Sequence, residues 1–444
     1  MKIVIAGAGE VGSHLAKLLS KEEQDVILVD KDQERLASID SNYNLMTLCG
    51  STTSFSVLRS AGTHKCDLFI AVTPFEDKNL TACAIAKHIG AKKTVARIDN
   101  WEFMETKNAR FFQESGISKL IYPEYLAAQE IITALKWPWT KTLFKLQNGE
   151  LLVVGVKMTE ESRLNGMQLK EVGMTQRNFH VAAIRRKNVT IIPRGDDEIE
   201  LGDILYFTCT PEHVDEVREI CGLKNREVKK VIIMGGSRIA IRLVALAGDI
   251  FDFKIIEKNR ERCVELCEKC PEAMIINGDG RDVETLNEEG IDETDAFVAV
   301  TGSSEMNILA SLTARECGVT QTVAEVEDLQ FIASADNLNI GSVINKKLLA
   351  SSNIFQLLLG TDESTSKFMA LGDADIAEME VKPKSKLTKG PVRTLNLSRN
   401  MTIAGLIRDG KGMLVSGNTE IQAGDRVVVF CLSGAINKIE RLFG

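Results

Sequence analysis

The sequence predicts an α/β protein with two Rossmann-like parallel-sheet domains, each followed by a smaller α+β domain. Three observations predict it. Short apolar, β-branched runs alternate with helical patterns; the chain repeats itself at a nearly constant offset; and the first apolar run leads directly into a glycine-rich turn.

The elements follow in order. Ile3–Ala6, Val26–Val29, Leu45–Cys49, Phe69–Val72 and Thr94–Ile98 read as strands, apolar nearly throughout and therefore covered on both faces. Val11, Leu15, Leu18 and Leu19, then Leu80, Ala84 and Lys87, follow helical spacing between them. An amphipathic stretch from Tyr125 to Leu135 leaves this domain and runs into Trp137-Pro138-Trp139, a candidate hinge. The second copy restarts its strands at Val231, Lys254, Ala273, Ala296 and Thr322. The smaller pieces show strands at Leu151–Val156, Ile204–Thr208, Met413–Ser416 and Arg426–Cys431, with turns at Pro193-Arg194-Gly195, Gly202-Asp203 and Gly424-Asp425. They are too small for an enzyme's substrate domain and read as binding or dimerisation modules. The expected domains are 1–135, 140–225, 229–360 and 365–444.

Val72, Thr73, Asn79, Ala82, Ala86 and Gly90 fall on Val300, Thr301, Asn307, Ala310, Ala314 and Gly318, all at an offset of 228. The same offset places Gly7 on Gly235 and Gly50 on Gly278. A shift of 222 places Glu198-Ile199, Gly202 and Asp203 on Glu420-Ile421, Gly424 and Asp425. Two separate blocks holding nearly one offset mark a duplication of the whole two-domain unit.

Composition narrows the class. At 444 residues the chain is too long for one ordinary core. Its net charge of −8 and the lack of a basic stripe argue against nucleic acid. No signal peptide is read after Lys2, and Val231–Ile250, the most apolar stretch, carries Arg238 and Arg242, which are costly in a bilayer. The ten scattered cysteines are expected as free thiols in a reducing cytoplasm.

Residues Gly7-Ala8-Gly9-Glu10-Val11-Gly12 have the G-x-G-x-x-G spacing, directly after a strand and opening a helix, with Asp30 ending the next strand. That context is the dinucleotide fingerprint. Gly7 allows the tight turn, Gly9 the approach of a pyrophosphate, and Gly12 the packing of helix on strand. The phosphates would lie at a helix N-terminus, and Asp30 would accept from the ribose hydroxyls, favouring NAD over NADP. The bland alternative is a glycine turn that merely links strand to helix. The second copy reads Gly235-Gly236-Ser237-Arg238-Ile239-Ala240. Ser237 replaces the second glycine and crowds the pyrophosphate; Glu257 keeps the acid, and Arg238 adds a positive charge for phosphates. Occupancy of this second site is left open.

Cys263, Cys267 and Cys270 form C-x3-C-x2-C, a spacing found around iron–sulfur clusters. Here the run follows Glu257 on an amphipathic helix, and its first-copy counterparts Leu36, Asp40 and Tyr43 are no metal set, so cysteine as a small apolar residue is the preferred reading. The five histidines show no metal spacing, and no nucleophile elbow or P-loop appears. No metal site, no catalytic residue and no enzymatic activity are expected.

The opening MKIVIAGAGEVG, Asp30, the Val72-Thr73 strand end with Asn79 following, and Ala96-Arg97-Ile98 resemble an RCK (KTN) domain. The E-I-E-L-G-D and E-I-Q-A-G-D pieces resemble RCK-C (TrkA-C) domains. Two such pairs in one chain resemble the cytosolic regulatory subunits of bacterial Trk-type potassium uptake systems. The resemblance implies a homo-oligomeric gating ring, peripheral on the inner face of the plasma membrane, acting on a TrkH or TrkG type membrane subunit. It implies NAD(H) or ATP/ADP as ligands. Gly50, Ser51 and Thr52 would then lie by the adenine, and Thr73, Asn79 and Arg97 further round the pocket. In the second copy Gly278 and Asp279 match the family's Gly-Asp at this corner, from which Gly50-Ser51 departs. The rivals are an NAD-dependent oxidoreductase using the same loop, since fold does not fix function, and an RCK-type ligand sensor of another transporter.

Overall fold

The computed structural model describes residues 1–21, 24–40, 45–175, 178–187, 189–224, 226–328, 330–332, 335, 338, 340–359, 366–371 and 374–432. The expected domain ends at 225, 360 and 444, the start at 365, and Tyr43 lie outside the described residues.

The first sheet contains β1 (Lys2–Ala6), β2 (Asp25–Asp30), β3 (Met46–Cys49), β4 (Leu68–Ala71), β5 (Lys93–Arg97) and β6 (Lys119–Ile121). Their order is β3-β2-β1-β4-β5-β6, all parallel. Helices α1 (Glu10–Lys21), α2 (Gln33–Asp40), α3 (Phe55–Ser60), α4 (Glu76–Ile89), α5 (Ala109–Glu114) and α6 (Pro123–Lys136) connect and follow the strands. Ile3, Val4, Ile5 and Ala6 are wholly buried, as a strand covered on both faces requires. The order reverses between β1 and β4, which opens a crevice at the carboxyl ends of these strands, where ligands of such sheets bind.

An antiparallel sheet follows, with β7 (Thr142–Leu146), β8 (Leu151–Lys157), β9 (Phe179–Arg186), β10 (Val189–Ile191) and β11 (Ile204–Cys209) in the order β10-β9-β11-β8-β7. It carries α7 (Leu169–Thr175) and α8 (Val214–Ile220). Trp137 and Trp139, half-buried, pack on the core of this sheet, their rings 6.2 Å apart. Two indoles stranded in solvent would be costly, and the β module supplies the apolar surface that covers them.

The second parallel sheet contains β12 (Lys230–Met234), β13 (Asp252–Glu257), β14 (Ala273–Asn277), β15 (Ala296–Ala299), β16 (Gln321–Glu325) and β17 (Ser342–Ile344) in the order β14-β13-β12-β15-β16-β17. Its helices are α9 (Arg238–Ala247), α10 (Arg260–Lys269), α11 (Val283–Glu288), α12 (Ser304–Glu316) and α13 (Lys346–Leu359). The last sheet runs β18-β19-β22-β20-β21, from β18 (Ser366–Leu371), β19 (Ala374–Glu380), β20 (Met401–Arg408), β21 (Lys411–Leu414) and β22 (Arg426–Leu432). Both antiparallel sheets carry a bulge at an equivalent alanine, Ala182 in β9 and Ala404 in β20.

Like gathers with like. One compact unit takes Met1–Ile132 and Lys229–Leu358, with both parallel sheets; the other takes Thr133–Val228 and Leu359–Gly444, with both antiparallel sheets. Within the second unit, Leu151, Val153, Ala182 and Tyr206 share one apolar core with Ile376, Ala404, Val428 and Phe430. A Cβ on Gly412 would meet the Glu150 carbonyl oxygen at 2.1 Å, so the two sheets approach to backbone contact there.

The repeated Glu-Ile-x-x-Gly-Asp motif is a structural clamp. Asp203 is buried and receives Arg186 Nε at 2.9 Å and Nη2 at 2.8 Å, while the same guanidinium donates to the Glu198 carbonyl. The Glu200 N–H donates to Asp203 at 2.9 Å and closes the turn in which Gly202 takes a φ of +87°. Arg408 and Asp425 repeat the arrangement at 2.8 and 2.7 Å, with the Glu420 carbonyl and the Gln422 N–H as the other partners. Burial alone would raise the Asp425 carboxyl; the Arg408 fork and the Gln422 N–H hold it below the ordinary aspartate range.

Because that folded pKa lies below the unfolded one, the clamp stabilises fully above about pH 4 and fades as pH falls through the lower folded value. Asp425→Asn is expected to lower the unfolding free energy by about 2 kcal/mol at neutral pH. The gap to the parent chain should narrow as pH falls below about 4, the ordinary aspartate value. Urea unfolding of both chains across that range measures it.

Candidate functional site

The first glycine loop sits at the tip of β1. Gly7 has a φ of +115° and donates to the Val29 carbonyl at 2.8 Å; a Cβ there would lie 3.0 Å from the Thr73 nitrogen. A Cβ on Gly12 would fall 1.9 Å from the Gly7 carbonyl oxygen, so α1 presses onto the turn through bare backbone. Nothing lies within 4 Å of a Cβ on Gly9, which faces open space. The first i→i−4 bond of α1 runs from Ser13 N to Gly9 O at 2.8 Å. The N–H groups of Glu10, Val11 and Gly12 precede it and have no place in the helical ladder. Ala8 and Val11 turn their side chains into the core.

Asp30 holds the loop in place. One carboxylate oxygen accepts from Ala8 N at 2.6 Å and the other from Asp32 N at 2.9 Å, while its carbonyl accepts from Gly50 N at 2.8 Å. A carboxylate offers about four lone-pair sites, so two remain for ligand hydroxyls. Across the crevice Ser51 Oγ lies 3.1 Å from Thr53 Oγ1, and Thr52 is buried at the corner. Arg97 Nη2 reaches Asp99 at 3.5 Å.

Asn79 plays another part than the ligand contact expected of it. It is buried beneath the crevice, and its amide oxygen accepts from Thr73 N at 2.9 Å and Thr73 Oγ1 at 2.7 Å. Its nitrogen donates to the Thr73 and Arg97 carbonyls, both at 2.9 Å. All of its capacity serves to tie the end of β4 to the end of β5. Asn307 ties Thr301 to Glu325 in the same way. The repeat marked this asparagine, but a clamp and a ligand leave the same trace in one sequence.

In the second half, Gly235 donates to the Ile256 carbonyl at 2.9 Å, and Glu257 accepts from Gly236 N at 2.8 Å and Asn259 N at 2.7 Å. Ser237 caps α9, its hydroxyl accepting from Ala240 N at 3.4 Å. The hydroxyl therefore engages one N–H that a bound phosphate would use, a more specific obstacle than crowding. A cleft of about 500 Å³ opens here, between Gly235–Ser237, Glu257, Gly278–Arg281 and Thr301. Lys258, Arg262 and Arg281 add three cations that the motif did not point to. Arg262 donates to the Gly236 carbonyl at 2.8 Å, and Arg281, with Lys258, holds the Asp279 carboxyl far below its usual range. Lys258 directly follows the acid and was the one readable signal.

The three cysteines of the C-x3-C-x2-C run diverge: Cys263 and Cys270 are buried and Cys267 is exposed. Burial pushes the Cys270 thiol up to about 11.

Comparison with known proteins settles the family. The TrkA-N domain model matches residues 3–123 and 231–346, and the TrkA-C domain model matches 153–222 and 376–444. The chain belongs to the TrkA-N/TrkA-C family. It is 29% identical over 452 residues to the "Trk system potassium uptake protein TrkA homolog 1" of Methanosarcina mazei, covering 100% of both chains. It is 28% identical over 452 residues to the "Trk system potassium uptake protein TrkA" of Haemophilus influenzae, covering 100% of this chain and 98% of that one. Among solved structures, the GsuK RCK domain aligns with a TM-score of 0.62 at 15% identity, over 100% of this chain and 94% of the other. The GsuK channel bound to NAD aligns with a TM-score of 0.61 at 15% identity, over 100% and 78%. These two likenesses concern the fold.

The TrkA-N halves meet through their loops. Arg238, expected to face phosphates of the second cleft, instead reaches Asp99 at 3.4 Å and Glu124 at 3.2 Å in the first half. Ile239 beside it is buried. Glu10, in the first loop, meets Lys347 of the second half at 2.5 Å. The physical reason is charge: Glu124 is 2% exposed, and its buried carboxylate is stabilised by the Arg238 guanidinium.

Two substitutions separate the packing roles. Gly12→Ala is expected to cost about 1–3 kcal/mol of stability, from overpacking against the Gly7 carbonyl, and Asn79→Ala at least as much, from carbonyls left unpaired. Gly9→Ala should leave the thermal midpoint unchanged. Differential scanning calorimetry of the three variants distinguishes them.

Proposed function

We propose that the chain is a regulatory, nucleotide-binding gating subunit of a Trk-type potassium transporter, controlling potassium uptake by binding NAD(H) or ATP/ADP on the cytoplasmic side. The observation that carries this reading is the first loop, where an open Gly9 lies beside the unpartnered N–H groups of an α-helix and a ribose-competent carboxylate, Asp30. The family and the printed names of its potassium-uptake relatives support the rest.

The residues fit the group. A pyrophosphate would lie against Gly9 and the N–H groups of Glu10, Val11 and Gly12, and Asp30 would take the ribose hydroxyls with the lone pairs it has left. Gly50, Ser51 and Thr52 would border the adenine, and Thr73, held by Asn79, the far wall. Ser237 makes the second cleft the weaker site, while Lys258, Arg262 and Arg281 favour a ligand rich in phosphate there. No chemistry is asked of the nucleotide: it acts by binding one conformation of the assembly better than another, and shifts the population only by that difference. The assembly would be a homo-oligomeric ring on the inner face of the plasma membrane, acting on a TrkH or TrkG type subunit.

Calorimetric titration with NADH, NAD, ATP and ADP tests the reading. Gly9→Val, whose Cβ meets nothing within 4 Å and whose branched side chain would occupy the cradle, is expected to weaken binding at least tenfold, about 1.4 kcal/mol. Ser237→Gly should strengthen the weaker of two binding events. NADH absorbance should stay constant throughout. Nucleotide affinity unmoved by Gly9→Val would sink the proposal.

A further inference from the structure

The two TrkA-N halves carry opposite charges at equivalent positions. Glu10 and Arg238 are each the first residue of the helix that follows the glycine loop. Glu124 and Lys347 are each the second residue of the helix that follows the sixth strand. Loop position and helix position meet twice across the contact, as Glu10 with Lys347 and as Arg238 with Glu124. The sign of both members is reversed from one meeting to the other.

Such an arrangement is a quasi-two-fold interface, in which residue i touches j and j touches i. If a first half met another first half in this geometry, Glu10 would face Glu124 twice, with Asp99 beside it; the nearest cation, Arg97, already reaches Asp99. If a second half met another second half, Arg238 would face Lys347 twice, with Lys346 alongside. Lys346 and Lys347 do have local anions, Glu325 at 3.0 Å from Lys346 and Glu327 at 2.7 Å from Lys347. Those acids belong to their own half and are already used. Arg242, laid 4.9 Å over the Trp101 ring, adds a further contact between unlike halves.

We propose that these charge-reversed ion pairs make the pairing of halves selective: a first TrkA-N half pairs with a second half, and like–like pairing is opposed by repulsion in two pairs, each joining an exposed loop charge to a buried or half-buried one. The pairing is specified by attraction in the right combination and by repulsion in both wrong ones. It stands independently of which nucleotide the loops hold. It also anchors the first turn of each loop helix to the opposite half.

The test uses the full chain and exchanges signs. One chain carries Arg238→Glu with Lys347→Glu, another carries Glu10→Lys with Glu124→Lys, and a third carries all four changes. Hydrogen exchange of the peptides covering α1, α9 and the start of α13 reads the contact, and thermal melting reads the fold. Each reversed pair should raise exchange in those peptides at least tenfold and lower the melting temperature. The four-fold exchange restores opposite signs in both cross-half pairs but leaves Asp99 and Glu327 beside the new acids, so it should recover a large part, not all, of the protection and of the melting temperature. A neutral Arg238→Ala, Lys347→Ala chain should lose less protection than its Glu counterpart, because attraction is removed without adding repulsion. The proposal is overturned if the four-fold chain is as unprotected as the two reversed pairs, or if the reversed pairs match the parent. Should a reversed pair fail to fold, recovery in the four-fold chain still decides.

Discussion

The carboxylate at the tip of the second strand is the interaction on which both loops depend. A glycine-rich turn has little intrinsic preference for one shape, and its N–H groups must be satisfied or solvated. Asp30 fixes the first turn by accepting from Ala8 N, and Glu257 fixes the second by accepting from Gly236 N. The two acids occupy the same register, since Asp30 pairs with Cys49 and Glu257 with Asn277 on the neighbouring strand. The copies differ by one residue before this strand, between β1 and β2, and by a compensating one after it, between β2 and β3, so the two acids and the two glycine loops keep equivalent places. A group that shapes the loop and, under the proposed binding mode, would also take the ribose hydroxyls would link the loop's geometry to the ligand without any added part.

Much of this was legible because it is local or periodic. Apolar runs such as Ile3–Ala6 can be satisfied only by a sheet covered on both faces, and alternation with helices makes that sheet parallel. Gly7 announced itself because its φ of +115° disfavours a side chain, and Gly12 because a Cβ there would strike the Gly7 carbonyl, constraints that act within six residues of chain. What escaped was non-local. Strand β6 is only Lys119–Ile121, too short to show a period. Arg186 and Asp203 meet across seventeen residues, so Gly202-Asp203 read only as a turn and nothing local pointed to the arginine. Asn79 was marked by its repetition, yet whether an amide faces a ligand or two strand ends depends on where β5 lies.

The grouping of like domains was also beyond a linear reading. The chain alternates parallel-sheet and antiparallel-sheet domains, but the structure sorts them by kind, Met1–Ile132 with Lys229–Leu358 and Thr133–Val228 with Leu359–Gly444. Duplicated domains begin with identical surfaces, and a surface that can pair with its own copy is already complementary to its duplicate. The apolar face shared by Val153 and Phe430 is what such an origin leaves in the antiparallel pair.

Once two halves of one chain pair, their surfaces are free to diverge, and the divergence runs in a definite direction. Glycine gives way to Ser237 and Gly12's counterpart is Ala240, which is wholly buried, so the second loop stands off far enough to take a methyl group. The second turn thus no longer needs the bare backbone contact of the first. At the same place the loop residue changes from Glu10 to Arg238 and leaves the phosphate cradle for Asp99 and Glu124. A side chain cannot serve a phosphate in its own cleft and a carboxylate in the other half at once. Between a solvated anion and one only 2% exposed, the buried carboxylate gains more from the cation, because leaving it unpaired costs several kcal/mol (roughly 3–5). The second loop therefore commits its first helical residue to the neighbouring half, whereas in the first loop Glu10 is neutralised by Lys347 across the same interface and the Gly9 position stays open.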